Sequence, residues 1–236
     1  MTTIADNLQR VRERIATACQ AHGRDPAEVT LLAVSKTFDA SAVQQAADAG
    51  QRAFGENYIQ EAIEKISALR HLHLEWHCIG PVQSNKTRVV AENFDWVQSL
   101  DRLKTAQRLS DQRPADLPPL QVCIQVNIDG GPNKSGVAVE DVAELAKQVL
   151  RLPRLQLRGL MFIPEPAPDF EASRAVLARA KSLFDHIKLM PDLFLDAATS
   201  SRFDTLSMGM TGDMEAATQC GSSMVRVGTA IFGARA

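Results

Sequence analysis

The sequence predicts an α/β protein built as a single (β/α)8 barrel of the TIM type, with one extra helix at its N-terminus. Three observations predict it. The chain has 236 residues, close to the roughly 250 typical of such a barrel. Short apolar, β-branched runs alternate with longer stretches at helical period, the pattern of parallel strand-helix units. Eight such strand runs can be counted, which is the number that closes a barrel. The rival, an open doubly wound sheet, would place a glycine-rich G-x-G-x-x-G turn after the first strand, and none stands there.

The elements follow in order. Ile4, Leu8, Val11, Ile15 and Cys19 form one helical stripe, with Arg10, Arg12 and Arg14 among the polar positions, so residues 1–23 read as a helix packed on the barrel. Asp6 and Glu13 argue against a transit peptide, and the start lacks the charged and apolar regions of a secretory signal, so a cytoplasmic address is expected. Strands are predicted over 30–35, 52–54, 74–79, 96–100, 120–128, 155–163, 205–207 and 224–227. Helices are expected to begin near Ala40, Tyr58, Ser84, Arg102, Val139, Asp169 and Gly212. Asp39, Ser84 and Asp101 stand where N-caps should. The Pro-rich stretches 112–119 and 164–168 are short enough to be loops, so one domain is expected over 1–236.

Composition excludes several classes. Lys plus Arg total 26 against 28 Asp plus Glu, a net charge of −2, without the basic footprint of nucleic-acid binding. No apolar run approaches the roughly 20 residues of a membrane span. Cys19, Cys78, Cys123 and Cys220 form no C-x-x-C pair and no cluster with histidines, so they read as core thiols in a reducing compartment, not as metal ligands or disulfides.

In a βα barrel, chemistry sits where polar residues close apolar strands. Lys36 ends the run 31–35. Apolar walls would desolvate its charged form and leave a neutral nucleophile for an aldehyde; a lysine snorkelling to solvent is the alternative. Gly55, Glu56 and Asn57 close the second strand, Gly55 admitting a ligand to the backbone and Asn57 able to donate and accept at once. Off the third strand run His77, Gln83, Ser84, Asn85 and Lys86, of which Gln83, Asn85 and Lys86 are donors for an anion or a polar substrate; a helix start capped by Ser84 with a core His77 bonded to backbone is the alternative. Lys134, in the loop Asn133-Lys134-Ser135-Gly136, could bind a phosphate or relay an amine.

The most specific place combines Ser207-Met208-Gly209-Met210-Thr211-Gly212 with Arg226-Val227-Gly228-Thr229. Barrel phosphate sites are frequently built from the loops after strands seven and eight. Strand alternation sets Arg226 opposite Val225 and Val227, so its guanidinium must find an acceptor inside, either a buried carboxylate or a heteroaromatic ring nitrogen. An amine at strand one, a phosphate cradle and an arginine between them fit a flat phosphorylated aldehyde, pyridoxal 5′-phosphate (PLP).

Ala33-Val34-Ser35-Lys36, Phe54-Gly55-Glu56-Asn57, His77-Cys78-Ile79-Gly80 with Gln83-Ser84-Asn85-Lys86, Lys134-Ser135-Gly136, Arg158-Gly159-Leu160-Met161, Ser207-Met208-Gly209-Met210 and Val225-Arg226-Val227-Gly228 together resemble the pyridoxal phosphate homeostasis protein family. The resemblance covers nearly the whole chain and implies a fold-type III PLP barrel similar to that of alanine racemase. It implies that Lys36 forms the internal aldimine, that Ser207 with Met208, Gly228 and Thr229 holds the phosphate, that Arg226 faces the pyridine nitrogen and that Asn57 lies near the cofactor. His77, Lys86 and Lys134 are secondary candidates. The chain departs from the family's Ser-Lys-Thr-Lys-Pro at Phe38-Asp39, and has Val82 where Leu is familiar. The implied role is storage or delivery of PLP, with apo PLP-dependent enzymes as partners. With no length left for the second, β-rich domain of the racemases, a monomer is expected. A low-activity racemase or decarboxylase, with the sole tyrosine Tyr58 as its second base, and a Schiff-base aldolase on a sugar phosphate are the alternatives.

Overall fold

Eight parallel strands pair in chain order, β1 through β8, and β8 closes back on β1. They are β1 Thr30–Val34, β2 Ala53–Glu56, β3 Glu75–Cys78, β4 Trp96–Leu100, β5 Leu120–Val126, β6 Leu155–Phe162, β7 Thr205–Ser207 and β8 Met224–Val227. All eight expected strands are present. The computed structural model describes residues 2–131, 134–194 and 196–234. Among them lie α1 Ile4–Ala21, α2 Ala40–Asp48, α3 Ile59–Ala68, α4 Thr87–Asn93, α5 Leu103–Gln112, α6 Val142–Val149, α7 Phe170–Lys188, α8 Ala197–Arg202, α9 Met214–Gln219 and α10 Thr229–Phe232. No helix is long and apolar enough to cross a membrane, among the described residues.

Strand alternation separates two cores. Outward residues such as Ala33, Phe54, Trp76, Val97, Leu206 and Val225 pack under the helices in one large cluster. Inward residues form two small apolar groups inside the barrel, Leu32, Val34, Ala53, Ile79 and Met224 in one, Trp96, Cys123 and Met161 in the other. The polar side chains of His77, Gln98, Ser207 and Arg226 are also buried.

α1 begins with a capping box, Thr3 and Asp6 exchanging side-chain-to-backbone bonds, which satisfies donors the first turn would otherwise leave open. Its predicted stripe is buried through Leu8, Val11, Ile15 and Cys19, each large aliphatic contributing roughly 1.5–3 kcal/mol by leaving water. The flank of that stripe works as a strut: Asn7 Nδ2 donates to Ile231 O of α10 at 2.8 Å, and Arg14 bonds Glu215 of α9 at 2.7 Å and Thr211 O at 3.3 Å.

Several local expectations need correction. Asp39 caps α2 as expected, accepting from Ala42 N at 2.9 Å. Ser84 does not cap α4; the chain makes one more turn, Lys86 is the N-cap, and Ser84 offers its carbonyl to Thr87 Oγ1 at 3.0 Å. Asp101 does not cap α5 either, because its carboxylate is taken by the neighbouring Arg102 guanidinium at 2.9 Å. The region near Val139 is a single 3-10 turn leading into α6. α8, capped by Asp196, is an addition the sequence pattern did not suggest. Cys19, Cys78 and Cys123 are buried and Cys220 half-buried, all as free thiols.

Candidate functional site

At the C-terminal mouth of the barrel lies a cavity of about 250 Å³. It is lined by Lys36 after β1, Asn57 after β2, Arg226 of β8, and Gly228 and Thr229 at the start of α10, together with Val34, Ile79, Ile163 and the loop Met210-Thr211-Gly212. A larger recess of about 530 Å³ sits between α1 and the starts of β1 and β2, and holds none of the candidate residues. Ser207 and Met208 do not line the mouth cavity. Both are fully buried behind it, Met208 in the core beneath the helices. Lys86 and Lys134 stand outside its lining, Lys134 bonded to Asp129 at 2.7 Å and Glu165 at 2.9 Å. Asn133 lies outside the described residues.

The backbone on both sides of Lys36 is held by α3. Lys65 Nζ donates to Ser35 O at 2.8 Å, and Glu61 Oε1 accepts from Thr37 N at 2.8 Å. Lys65 also bonds Glu56 Oε1 at 2.8 Å, which accepts from Ser35 Oγ at 2.6 Å. Burial pushes the Glu56 carboxyl up, and the bonds from Lys65 and Ser35 oppose it. Thr37 has φ +69°, a left-handed conformation costing a β-branched residue roughly 1–2 kcal/mol. The bond to Glu61 helps hold it there. Phe38, the departure noted above, stacks on Phe232 of α10 at 5.1 Å, joining the Lys36 loop to the neighbouring rim after β8.

These clamp residues were not expected from the sequence. The readable signal is Lys65 itself, a lysine on the apolar face of α3 beside Ala62, where it is buried.

The rim after β7 and β8, next to the Lys36 loop, is shaped by two glycines. Gly209 has φ +94°, and a Cβ there would lie 2.4 Å from Ala217 Cβ of α9. The loop then continues pairing with β8, Met208 N donating to Met224 O and Gly209 O accepting from Arg226 N. Asp213 Oδ1 accepts from Met210 N at 2.6 Å, fixing its turn. Gly228 precedes α10, and a Cβ on it would come within 3.0 Å of Val34 O. The first amides of α10 have no intrahelical acceptor. Gly209→Ala should combine backbone strain with a clash against α9 and lower stability by about 1–3 kcal/mol, a fall of several degrees in thermal unfolding. An unchanged melting temperature would show the loop to be more plastic than this packing implies.

Arg226 is buried, and its partners are neutral: Nη1 donates to Ser207 Oγ at 2.7 Å and Nη2 to Phe162 O at 2.7 Å. Of the two acceptors considered for it, a buried carboxylate is not among these partners. Burial lowers the guanidinium pKa to about 10, so it stays a cation at neutral pH. Asn57 Oδ1 is buried without a hydrogen-bond partner, a cost usually relieved by a ligand or water. His77 bonds side chains, Glu75 and Gln98, not backbone. Tyr58, the second base of the racemase alternative, is 54% exposed at the N-cap of α3 and stands outside the cavity lining. No cluster of three or more His, Cys, Asp or Glu could hold a metal, among the described residues. The lining therefore offers an amine, backbone amides beside glycines, a cation and an unsatisfied amide oxygen, a set suited to a small ligand with a carbonyl, an anionic group, a ring acceptor and a hydroxyl donor.

Comparison with known proteins gives the same picture. The family model for the alanine racemase N-terminal domain matches residues 6–236. The pyridoxal phosphate homeostasis protein of Pseudomonas aeruginosa is 57% identical over 235 residues, covering 100% of this chain and 97% of that one. The protein of the same name from Escherichia coli K12 is 52% identical over 245 residues, covering 100% and 98%. Among solved structures, PipY of Synechococcus elongatus with PLP bound superposes with a TM-score of 0.78 at 34% identity, covering 94% of this chain and 100% of that one.

Proposed function

Because the chain belongs to the pyridoxal phosphate homeostasis protein family and carries its alanine racemase N-terminal domain, we propose that the cavity at the barrel mouth is its PLP site. The protein binds PLP and takes part in PLP homeostasis, as its relatives' names and the PLP-bound PipY structure support. One observation carries the assignment of the site: Lys36, Asn57, Arg226, Gly228 and Thr229 line a single small cavity. The residues fit the cofactor. Asn57 Oδ1 is a buried acceptor in want of a donor, and Gly228, where a Cβ would press on Val34 O at 3.0 Å, lets its backbone form part of the cavity wall.

When bound, PLP supplies an electrophilic aldehyde and an electron-accepting ring. Lys36 would contribute the amine for the aldehyde carbon. Gly228, Thr229 and residues 211–212 would offer backbone amides to the phosphate. Arg226 would be the donor facing the ring nitrogen. Ser207 and Met208 act from behind, Ser207 by holding Arg226 and Met208 by anchoring its loop to β8. An arginine that keeps its proton leaves the ring nitrogen unprotonated and the ring a weaker electron sink, which favours holding PLP over carbanion chemistry. The same reading makes the protein a cytoplasmic, monomeric, single-domain carrier that stores PLP or hands it to apo PLP-dependent enzymes.

The test is the absorbance spectrum of the purified protein before and after borohydride, with mass spectrometry of the reduced peptides. A yellow band that reduction fixes as a phosphopyridoxyl group on the Lys36 peptide is expected. A protein that stays colourless with added PLP would overturn the cofactor reading and favour the sugar-phosphate aldolase.

A further inference from the structure

Four hydrogen bonds link the cavity to the far end of the barrel. Arg226 Nη1 meets Ser207 Oγ at 2.7 Å, Ser207 Oγ meets Gln98 Oε1 at 2.6 Å, Gln98 Nε2 meets His77 Nδ1 at 2.8 Å, and His77 Nε2 meets Glu75 Oε1 at 2.8 Å. The residues come from β8, β7, β4 and β3, so the column crosses the barrel interior. Ser207, Gln98 and His77 are buried, and Glu75 is half-exposed at the start of β3 beside a polar recess of about 390 Å³.

Donor chemistry fixes the direction of every link. A guanidinium only donates, so Ser207 Oγ accepts from Arg226 and its own proton goes to Gln98 Oε1. The Gln98 amide nitrogen also faces Met224 Sδ at 3.1 Å, and a thioether only accepts, which places the NH2 on the His77 side. His77 Nδ1 is therefore an acceptor, and its proton sits on Nε2, donated to Glu75. The Trp96 ring stacks on His77 at 5.0 Å and 10°, with the Arg158 guanidinium 4.8 Å above Trp96, which holds the imidazole plane in place. The hydrogen bond from His77 holds the Glu75 carboxyl below its usual range despite burial.

We propose that Gln98, His77 and Glu75 are positioning residues for Arg226, forming a one-directional hydrogen-bond column that runs from the cation at the cofactor site to an anion at the barrel floor and locks the guanidinium in place. This rests on the PLP reading of the cavity. The Ser207 and Phe162 bonds use two of the five guanidinium N–H groups, and the column keeps that commitment fixed, so the remaining face points the same way with or without ligand. Such a network rigidifies when every member is satisfied and fails when one link is removed.

Two experiments test it. In apo protein labelled with 15N-histidine, His77 should show the neutral Nε2–H tautomer; a doubly protonated or Nδ1–H ring overturns the proposal whether or not PLP binds. In PLP-loaded protein, Gln98→Leu should keep the reducible group on Lys36 yet release PLP about tenfold faster, with a displaced absorbance maximum. Glu75→Gln keeps an acceptor for His77 at a half-exposed position, and should change the release rate by roughly twofold in a normally folded protein. Wild-type release and wild-type absorbance in both variants would overturn the column. A wild-type protein that takes up no PLP would instead count against the cofactor assignment, and the tautomer measurement would still decide the column.

Discussion

Lys36→Ala should yield a folded protein that is colourless as purified and gives no borohydride-fixed phosphopyridoxyl peptide. The fold is expected to survive because Lys36 is only half-buried and the backbone there is held through Ser35 and Thr37 by Lys65 and Glu61. The ligand loses its covalent anchor and keeps the amides at Gly228 and Thr229 and the Arg226 and Asn57 contacts. A loss of about 100-fold in affinity corresponds to about 2.8 kcal/mol. Thermal shift makes the loss visible. At a PLP concentration 100 times the wild-type Kd, binding stabilises the wild type by about 2.7 kcal/mol, worth roughly 5–10 °C for a chain of this size. With Kd raised 100-fold the same concentration only matches it, and the gain falls to about 0.4 kcal/mol. Residual colour in the variant would direct peptide mapping to Lys86 and Lys134. A wild-type PLP response in Lys36→Ala would remove the amine from strand one altogether.

The barrel was legible because its strands are marked twice, by apolar β-branched runs and by the polar residues that end them. The position of Lys36 after 31–35 and the alternation about Arg226 carried straight into the structure. Cap positions were less legible. Ser84 and Asp101 are good capping types, but the helix after Ser84 begins two residues later, at Lys86, and Arg102 takes the Asp101 carboxylate, and composition reports neither outcome. Least legible were the partners of buried charges. Period and alternation show that Lys65 sits on an apolar face and that Gln98 points into the barrel from β4. Lys65 meets Glu61 one helical turn back and Glu56 and Ser35 at the ends of two neighbouring strands. Gln98 meets His77 on the adjacent strand, but its contact with Ser207 depends on barrel closure, which brings strands four and seven across the interior from each other. Ser207 illustrates the difference: the sequence places it at the phosphate cradle, whereas its hydroxyl is engaged one layer below with Gln98 and Arg226.

Lys65→Met should be the most destabilising single change in the site's support. Lys65 and Glu56 are almost completely buried, 4% and 0% exposed by side chain, while Glu61 keeps 31%. Methionine replaces most of the apolar stem but not the ammonium, leaving the Glu56 carboxylate without its counter-ion and with Oε2 already lacking a partner. Breaking a buried ion pair from one side costs about 3–5 kcal/mol, or roughly 10 °C in thermal unfolding for a chain of this length. The pH dependence separates lost charge from lost packing. Glu56 already has its carboxyl pushed up by burial, and without Lys65 it should rise further above the unfolded value of about 4.3. A folded-state pKa above the unfolded one means the native state holds the proton longer, so stability falls as pH rises between the two values. The gap between variant and wild type should therefore be smallest near pH 4 and widen towards neutrality. A gap constant with pH would assign the loss to packing alone. Ser35 O and Glu61 lose their shared tether in the same variant, so the strained Thr37 conformation next to Lys36 relaxes. PLP retention should consequently weaken even at a temperature where the variant is fully folded, whereas Glu61→Gln, which keeps an acceptor for Thr37 N, should retain PLP more nearly as the wild type does.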